Sequence, residues 1–179
     1  MAPREPGPVL FDTSAESWFA TTRSVAANAW LRRYLEIYEI HVCAITVIER
    51  IRGYGIRWRI KPEDQRSSIE TWRREYLSQL GPVLATDSST AIAAGDIMAL
   101  APTAPTPPRR AHREAETRQD RLARWRFDCI IAATAMVAGL PLIHNNAQDF
   151  EAIRGAIDRS PDRFSNYGPL RLIDCASLL

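Results

Sequence analysis

The chain has 179 residues, of which 46% are hydrophobic and 25% charged, with 23 bases against 21 acids for a net charge of +2. A chain of this size buries about 70% of its unfolded surface and holds a full core without disulfide or metal staples, so one domain spanning 1–179 is expected, with a Pro-rich and Arg-rich insertion at about 101–126. Cys43, Cys129 and Cys175 are odd in number and far apart, which excludes a disulfide framework; no apolar run reads as a secretory signal or membrane span, so a cytoplasmic protein is expected.

In chain order, residues 8–11 form a short apolar run that reads as a buried strand, and Asp12, Thr13 and Ser14 follow it as a helix start. Residues 28–38 carry Trp30, Tyr34 and Tyr38 at helical spacing, a stripe that reads as core ahead of a grip for a partner helix. A strand is expected over 41–45 and a helix over 46–59, bent at Gly53 and Gly55. A further helix over 62–80, opened by a proline and acids, leads to a strand at 83–85 and a helix at 88–100. The PTAPTPP segment of 102–108 can be neither helix nor central strand. A helix over 114–139, a strand at 141–143, a helix at 147–157 and a strand at 170–173 complete the order. Short apolar strands alternating with helices predict a three-layer α/β/α sandwich with a mostly parallel central sheet.

Charge is segregated. Residues 50–74 hold 8 bases and 3 acids and residues 109–126 hold 7 bases and 3 acids, leaving the remainder acidic. Such basic segments suit a phosphate-bearing partner, although a solvated helix face gives the same pattern. In a parallel sheet the ligand crevice lies beyond the carboxyl ends of the strands, and four acids fall there or beside it: Asp12, Glu49, Asp128 and Asp149. Each has a structural alternative. Asp12 is placed to cap a helix, Asp128 suits an early helical turn, Asn146 and Asp149 resemble a capping pair, and Glu49 lies at a face boundary. Together, four carboxylates in one crevice repel one another and call for a hard cation, Mg²⁺ or Mn²⁺, with phosphodiester hydrolysis as the chemistry such an ion supports.

The strand with LFDTS, the helix with VIER, the segment DCIIAATAMVAGLPLIHNNAQDF and the final PLRLID resemble the PIN-domain ribonucleases, especially the VapC-type toxins of type II toxin–antitoxin systems. The resemblance covers about 9–51 and 121–175. It implies that Asp12, Glu49, Asp128 and Asp149 are the catalytic, metal-holding quartet, supported by Thr13 or Ser14, by Asn146, and by His144 where the family commonly has Thr or Ser. It implies an endoribonuclease using Mg²⁺ or Mn²⁺, an RNA substrate, a cognate protein antitoxin and a homodimer. The basic window running into Asp128, with Arg121, Arg124 and Arg126, is the expected RNA surface, and Trp125 suits either base stacking or core. The rival of another class is a noncatalytic PIN-like RNA-binding or assembly module. Aspartyl-phosphate chemistry is excluded because the single lysine, Lys61, stands early in the chain and no D-x-D follows the first strand; no glycine-rich nucleotide loop, G-x-S-x-G elbow or zinc spacing is present.

Overall fold

A computed structural model describes residues 7–105 and 117–178. Five short strands, β1 (Leu10–Phe11), β2 (His41–Cys43), β3 (Val83–Leu84), β4 (Leu142–His144) and β5 (Leu172–Asp174), form one sheet in the order β3-β2-β1-β4-β5. Every pairing is parallel, so the expected mostly parallel sheet is wholly so. The helices among the described residues are α1 (Thr13–Thr21), α2 (Val25–Leu35), α3 (Ala44–Ile60), α4 (Glu63–Ser78), α5 (Ser88–Leu100), α6 (Arg118–Ala138) and α7 (Ala147–Asp158), with 3-10 turns at Pro161–Phe164 and Cys175–Leu178. The PTAPTPP segment is irregular over 102–105, and its end at 106–108 lies outside the described residues, as does the first part of the insertion's basic stretch, 109–116.

Strand alternation splits the core into two layers. Leu10 and Leu142 pack with α5, α6 and α7 residues such as Ile97, Trp125, Ile131 and Phe150. Phe11, Val42 and Ile143 face the other way, against Phe19, Trp30 and Tyr34. On that second face Phe19, Trp30 and Tyr34 stack at 5.5 and 5.2 Å between centroids, and the fully buried Tyr34 hydroxyl accepts from Val9 N–H at 3.0 Å and donates to the Glu39 carbonyl at 3.2 Å. The aromatic stripe is therefore core. Burying such rings and satisfying the Tyr34 hydroxyl anchors α2 to Val9, just before β1.

The differences from expectation include two helix starts and one missing bend. Helix α2 begins at Val25, earlier than 28, because Ser24 caps it by accepting from Ala27 N–H at 3.2 Å. Helix α6 begins at Arg118: Thr117 Oγ1 accepts from Asp120 N–H at 3.1 Å, and Asp120 Oδ2 accepts from Thr117 N–H at 3.3 Å, a reciprocal cap that the T-x-x-D spacing encodes. Helix α3 runs unbroken through Gly53 and Gly55, so the expected bend is absent. Packing of α4 along α3 outweighs a propensity cost of about 1 kcal/mol for each glycine. Helix α6 ends at Gly139, whose φ of +65° is the left-handed conformation that closes a helix and turns the chain into β4.

Candidate active site

The strand order reverses direction at β1, which has β2 on one side and β4 on the other. The carboxyl end of β1 is thus the switch point where a parallel sheet opens a crevice. A cleft of about 430 Å³ lies there, lined by Asp12, Thr13, Ser14, Ser17, Trp18, Thr21, Glu49, Arg124, Asp128, Asn145 and Asn146.

Asp12 follows β1 directly and caps α1. Its Oδ1 accepts from Ala15 N–H at 2.6 Å, and Ser14 Oγ lies 2.7 Å from Oδ2. Ser14 Oγ also accepts from Asn145 N–H at 2.9 Å, which ties the loop after β4 to the loop after β1. Thr13 Oγ1 donates to Glu49 Oε2 from α3. Asp128 reaches in from α6 one turn after Arg124, and its Oδ2 is buried without a hydrogen-bond partner among the described residues. Three of the four predicted acids and both hydroxyls beside the first are therefore brought to one cleft.

Burial dominates the electrostatics. It pushes the Asp12 carboxyl up to about 6 from an ordinary 3.8, partly offset by the Ala15 and Ser14 hydrogen bonds. Asp128 is raised well above the usual range, first by burial and then by Asp12, Asp149 and Glu49, with Arg124 opposing. Negative charge here is costly in the bare protein. As they stand, no three Asp, Glu, His or Cys side chains among the described residues converge into a ready-made ligand cluster. Even so, three hard oxygen donors that destabilise one another, one with an unpartnered buried oxygen, match the chemistry of a small divalent cation in kind.

The fourth acid is placed differently. Asp149 is fully buried in the first turn of α7 and does not line the cleft. Arg121 Nη2 donates to both of its oxygens at 2.8 Å, and Asn146 Nδ2 donates to Oδ2 at 2.8 Å. Arg121 is 4% exposed, which corrects its assignment to the RNA surface: its guanidinium is committed to an internal carboxylate. Arg124 does line the cleft. Arg126 is exposed but lies two residues before Asp128, about 200° around the helix from it, and outside the cleft. Trp125 is 1% exposed and donates from Nε1 to the Ala101 carbonyl at 2.7 Å, so it closes the core and holds the loop after α5.

His144 is buried at the end of β4, on the same strand face as Leu142. Its Nδ1 accepts from Asn146 N–H at 3.4 Å and its ring lies 5.1 Å from that of Phe150. Burial lowers its pKa. It does not reach the cleft, and it supports the β4–α7 loop from behind.

Ser17, Trp18 and Thr21 were not singled out from the sequence. They continue the α1 face that starts at Thr13 and Ser14 at spacings of four or so residues, a periodicity that was available to find them. A second cleft of about 230 Å³ shares Thr13, Ser17 and Glu49 with the first and continues past Arg50, Gly53, Tyr54 and Arg57 of α3. Arg50 there is engaged with Glu16 at 3.5 Å and Ser17 at 3.2 Å; burial raises the Glu16 carboxyl to about 7 despite that pairing.

A wholly parallel five-stranded sandwich with acids gathered at its switch point defines a PIN-type α/β fold. The PIN domain family model matches residues 9–156, and the chain belongs to that family, whose members are typically nucleases that generally use divalent metal ions. Solved structures with the same fold include the DNA-bound VapBC of Salmonella typhimurium, at 20% identity over 94% of this chain and 98% of that one with a TM-score of 0.59. VapBC2 of Rickettsia felis, bound to a promoter DNA fragment, is 14% identical over 93% and 97% with a TM-score of 0.55. FitAB bound to an IR36 DNA fragment is 17% identical over 93% and 94% with a TM-score of 0.56. No curated protein matches the chain by sequence.

Proposed function

We propose that the protein is a metal-dependent endoribonuclease that hydrolyses RNA phosphodiester bonds and serves as the VapC-type toxin of a toxin–antitoxin pair, in the cytoplasm. The observation that carries the nuclease reading is the unpartnered, buried Asp128 Oδ2 in a cleft shared with Asp12 and Glu49. An oxygen left in that condition costs about 1–3 kcal/mol, and a group that repeatedly meets a cation is where such a cost is retained. The toxin reading rests on the fold shared with the VapBC and FitAB complexes; it implies a cognate protein antitoxin and a homodimer.

Asp12, Glu49 and Asp128 would hold Mg²⁺ or Mn²⁺, which when bound supplies charge neutralisation at the phosphate and acidifies water for attack. The chain's own residues set the stage. Ser14 fixes the Asp12 carboxylate, Thr13 fixes that of Glu49, and Arg124 offers a guanidinium to a phosphate oxygen beside Asp128. In-line attack of a water on phosphorus breaks the bond to the 3′-oxygen; the water gives up a proton to solvent and the departing 3′-oxygen takes one up, leaving a 5′-phosphate and a 3′-hydroxyl, and no side chain forms a covalent bond to the substrate.

The purified protein is expected to cleave RNA with Mg²⁺ or Mn²⁺ and to stop with a chelator, while Asp128→Asn abolishes cleavage and keeps its circular dichroism. Undiminished cleavage by Asp128→Asn refutes the site. RNA binding without cleavage by wild type and variant alike establishes the noncatalytic binding module instead.

A further inference from the structure

Three of the four acids line the cleft, and the fourth, Asp149, does not. Its oxygens are fully engaged by side chains of this chain: both accept from Arg121 Nη2 at 2.8 Å, and Oδ2 accepts also from Asn146. Arg121 reaches it from α6, 28 residues earlier, with 5% of its side chain exposed against 0% for Asp149. Arginine keeps its charge when buried and binds carboxylates strongly, so a pair this dry is not opened to release a ligand oxygen without leaving a buried guanidinium uncompensated. Asp128 presents the opposite condition: nine-tenths buried, lining the cleft, with Oδ2 unpartnered. A single divalent ion together with the nearby Arg124 offsets Asp12, Glu49 and Asp128, and no charge remains for a second ion to neutralise.

We propose that Arg121 is an internal counter-cation that withdraws Asp149 from metal binding, so that the site takes one divalent ion on Asp12, Glu49 and Asp128. Arg121 is thus a positioning residue, acting through Asp149 and touching neither ion nor substrate. The inference rests on the metal-dependent reading of the cleft and specifies its ligand set and stoichiometry. It also identifies what a basic residue in this part of α6 does in place of meeting RNA.

The test is Mn²⁺ binding to the metal-stripped full chain, followed by calorimetry and by electron paramagnetic resonance of the free ion, with no turnover required. Wild type takes up one equivalent. The double variant Arg121→Met/Asp149→Leu, which replaces the pair by apolar groups, still binds one equivalent with Kd within about threefold of wild type. Asp128→Asn weakens binding by about tenfold or more. Arg121→Met alone leaves an uncompensated carboxylate beside the cleft and tightens Mn²⁺ by about tenfold or adds a second equivalent, an effect that a purely structural role for Arg121 does not produce. Should that variant fail to fold, the neutral pair Arg121→Gln/Asp149→Asn, which keeps a hydrogen bond across the same position and leaves no uncompensated charge, binds one equivalent with Kd within about threefold of wild type.

Two equivalents bound by wild type, or a double variant as impaired as Asp128→Asn, overturns the inference and leaves the nuclease reading standing. No Mn²⁺ uptake by wild type defeats the metal-dependent reading itself, and the inference with it.

Discussion

Asp12→Asn should make the metal-free protein more stable at neutral pH. Asp12 is 3% exposed, and its carboxyl is held at about 6 against an ordinary 3.8. At 1.36 kcal/mol for each pH unit, that difference corresponds to about 3 kcal/mol. The sign follows from linkage: an acid whose folded pKa lies above its unfolded value loses stability as pH rises from about 4 to about 6, and the full penalty stands at about pH 7. Asparagine is as good a helix cap as aspartate and can still accept from Ala15 N–H, so the α1 terminus survives the change. The upper limit of the gain from Asp12 itself is about 3 kcal/mol, or about 6–12 °C in Tm for a chain of this length. Thermal melts in chelator across about pH 4–8 should show a gain at the neutral end that vanishes at the acid end. Taking the difference between variant and wild type cancels His144, whose lowered pKa does not depend on Asp12, whereas Glu16 and Asp128, both raised in part by the Asp12 charge, relax in the variant and add to the gain at the neutral end. Added Mn²⁺ should raise the wild-type Tm and leave that of Asp12→Asn almost unmoved. A Tm difference independent of pH, or a variant less stable than wild type near neutrality, refutes the account of Asp12 as a carboxylate held at a cost.

Other outcomes follow from the same geometry. Arg124→Ala should weaken RNA binding and lower the slope of log K against log salt by about 0.7 for a single-stranded substrate, whereas Arg126→Ala, outside the cleft, should leave the slope unchanged; filter binding over a salt series measures both. Trp125→Ala should cost about 3–5 kcal/mol in urea denaturation, because it empties a fully packed site and removes the hydrogen bond to the Ala101 carbonyl. His144 has a folded pKa depressed by burial, so its contribution is present above about 6.5 and is lost as pH falls below that value. His144→Gln should therefore flatten the loss of stability on acidification, read from melts between about pH 5 and 7; an unaltered pH profile removes His144 from the acid sensitivity of the fold.

Much of this was legible from local chemistry. Apolar strand runs, helix caps and the placement of Asp12 and Glu49 after strand ends all depend on neighbours within a few residues, and the parallel sheet brings those ends together by topology; Asp128, expected in an early helical turn, stands in the middle of α6 and reaches the cleft through the packing of that helix. The reach of α2 back to Val25 and the start of α6 at Arg118 were encoded as well, in Ser24 and in the Thr117–Asp120 reciprocal cap. The bend expected at Gly53 and Gly55 did not form, because propensity is a weak local term and the α4 face packed along α3 overrides it.

The division is sharpest between Arg124 and Arg121. Spacing along α6 places Arg121, Arg124 and Asp128 on one stripe, and from the sequence both arginines read as a surface for phosphate. Only the docking of α7 against the upstream turn of α6 decides that Arg121 meets a buried carboxylate while Arg124 opens on the cleft. The same docking turns Asp149 inward and seats His144 behind its loop. Periodicity fixes which residues share a helix face; what that face meets is set by a partner 28 residues away in the chain, and a buried charge takes its meaning from that partner.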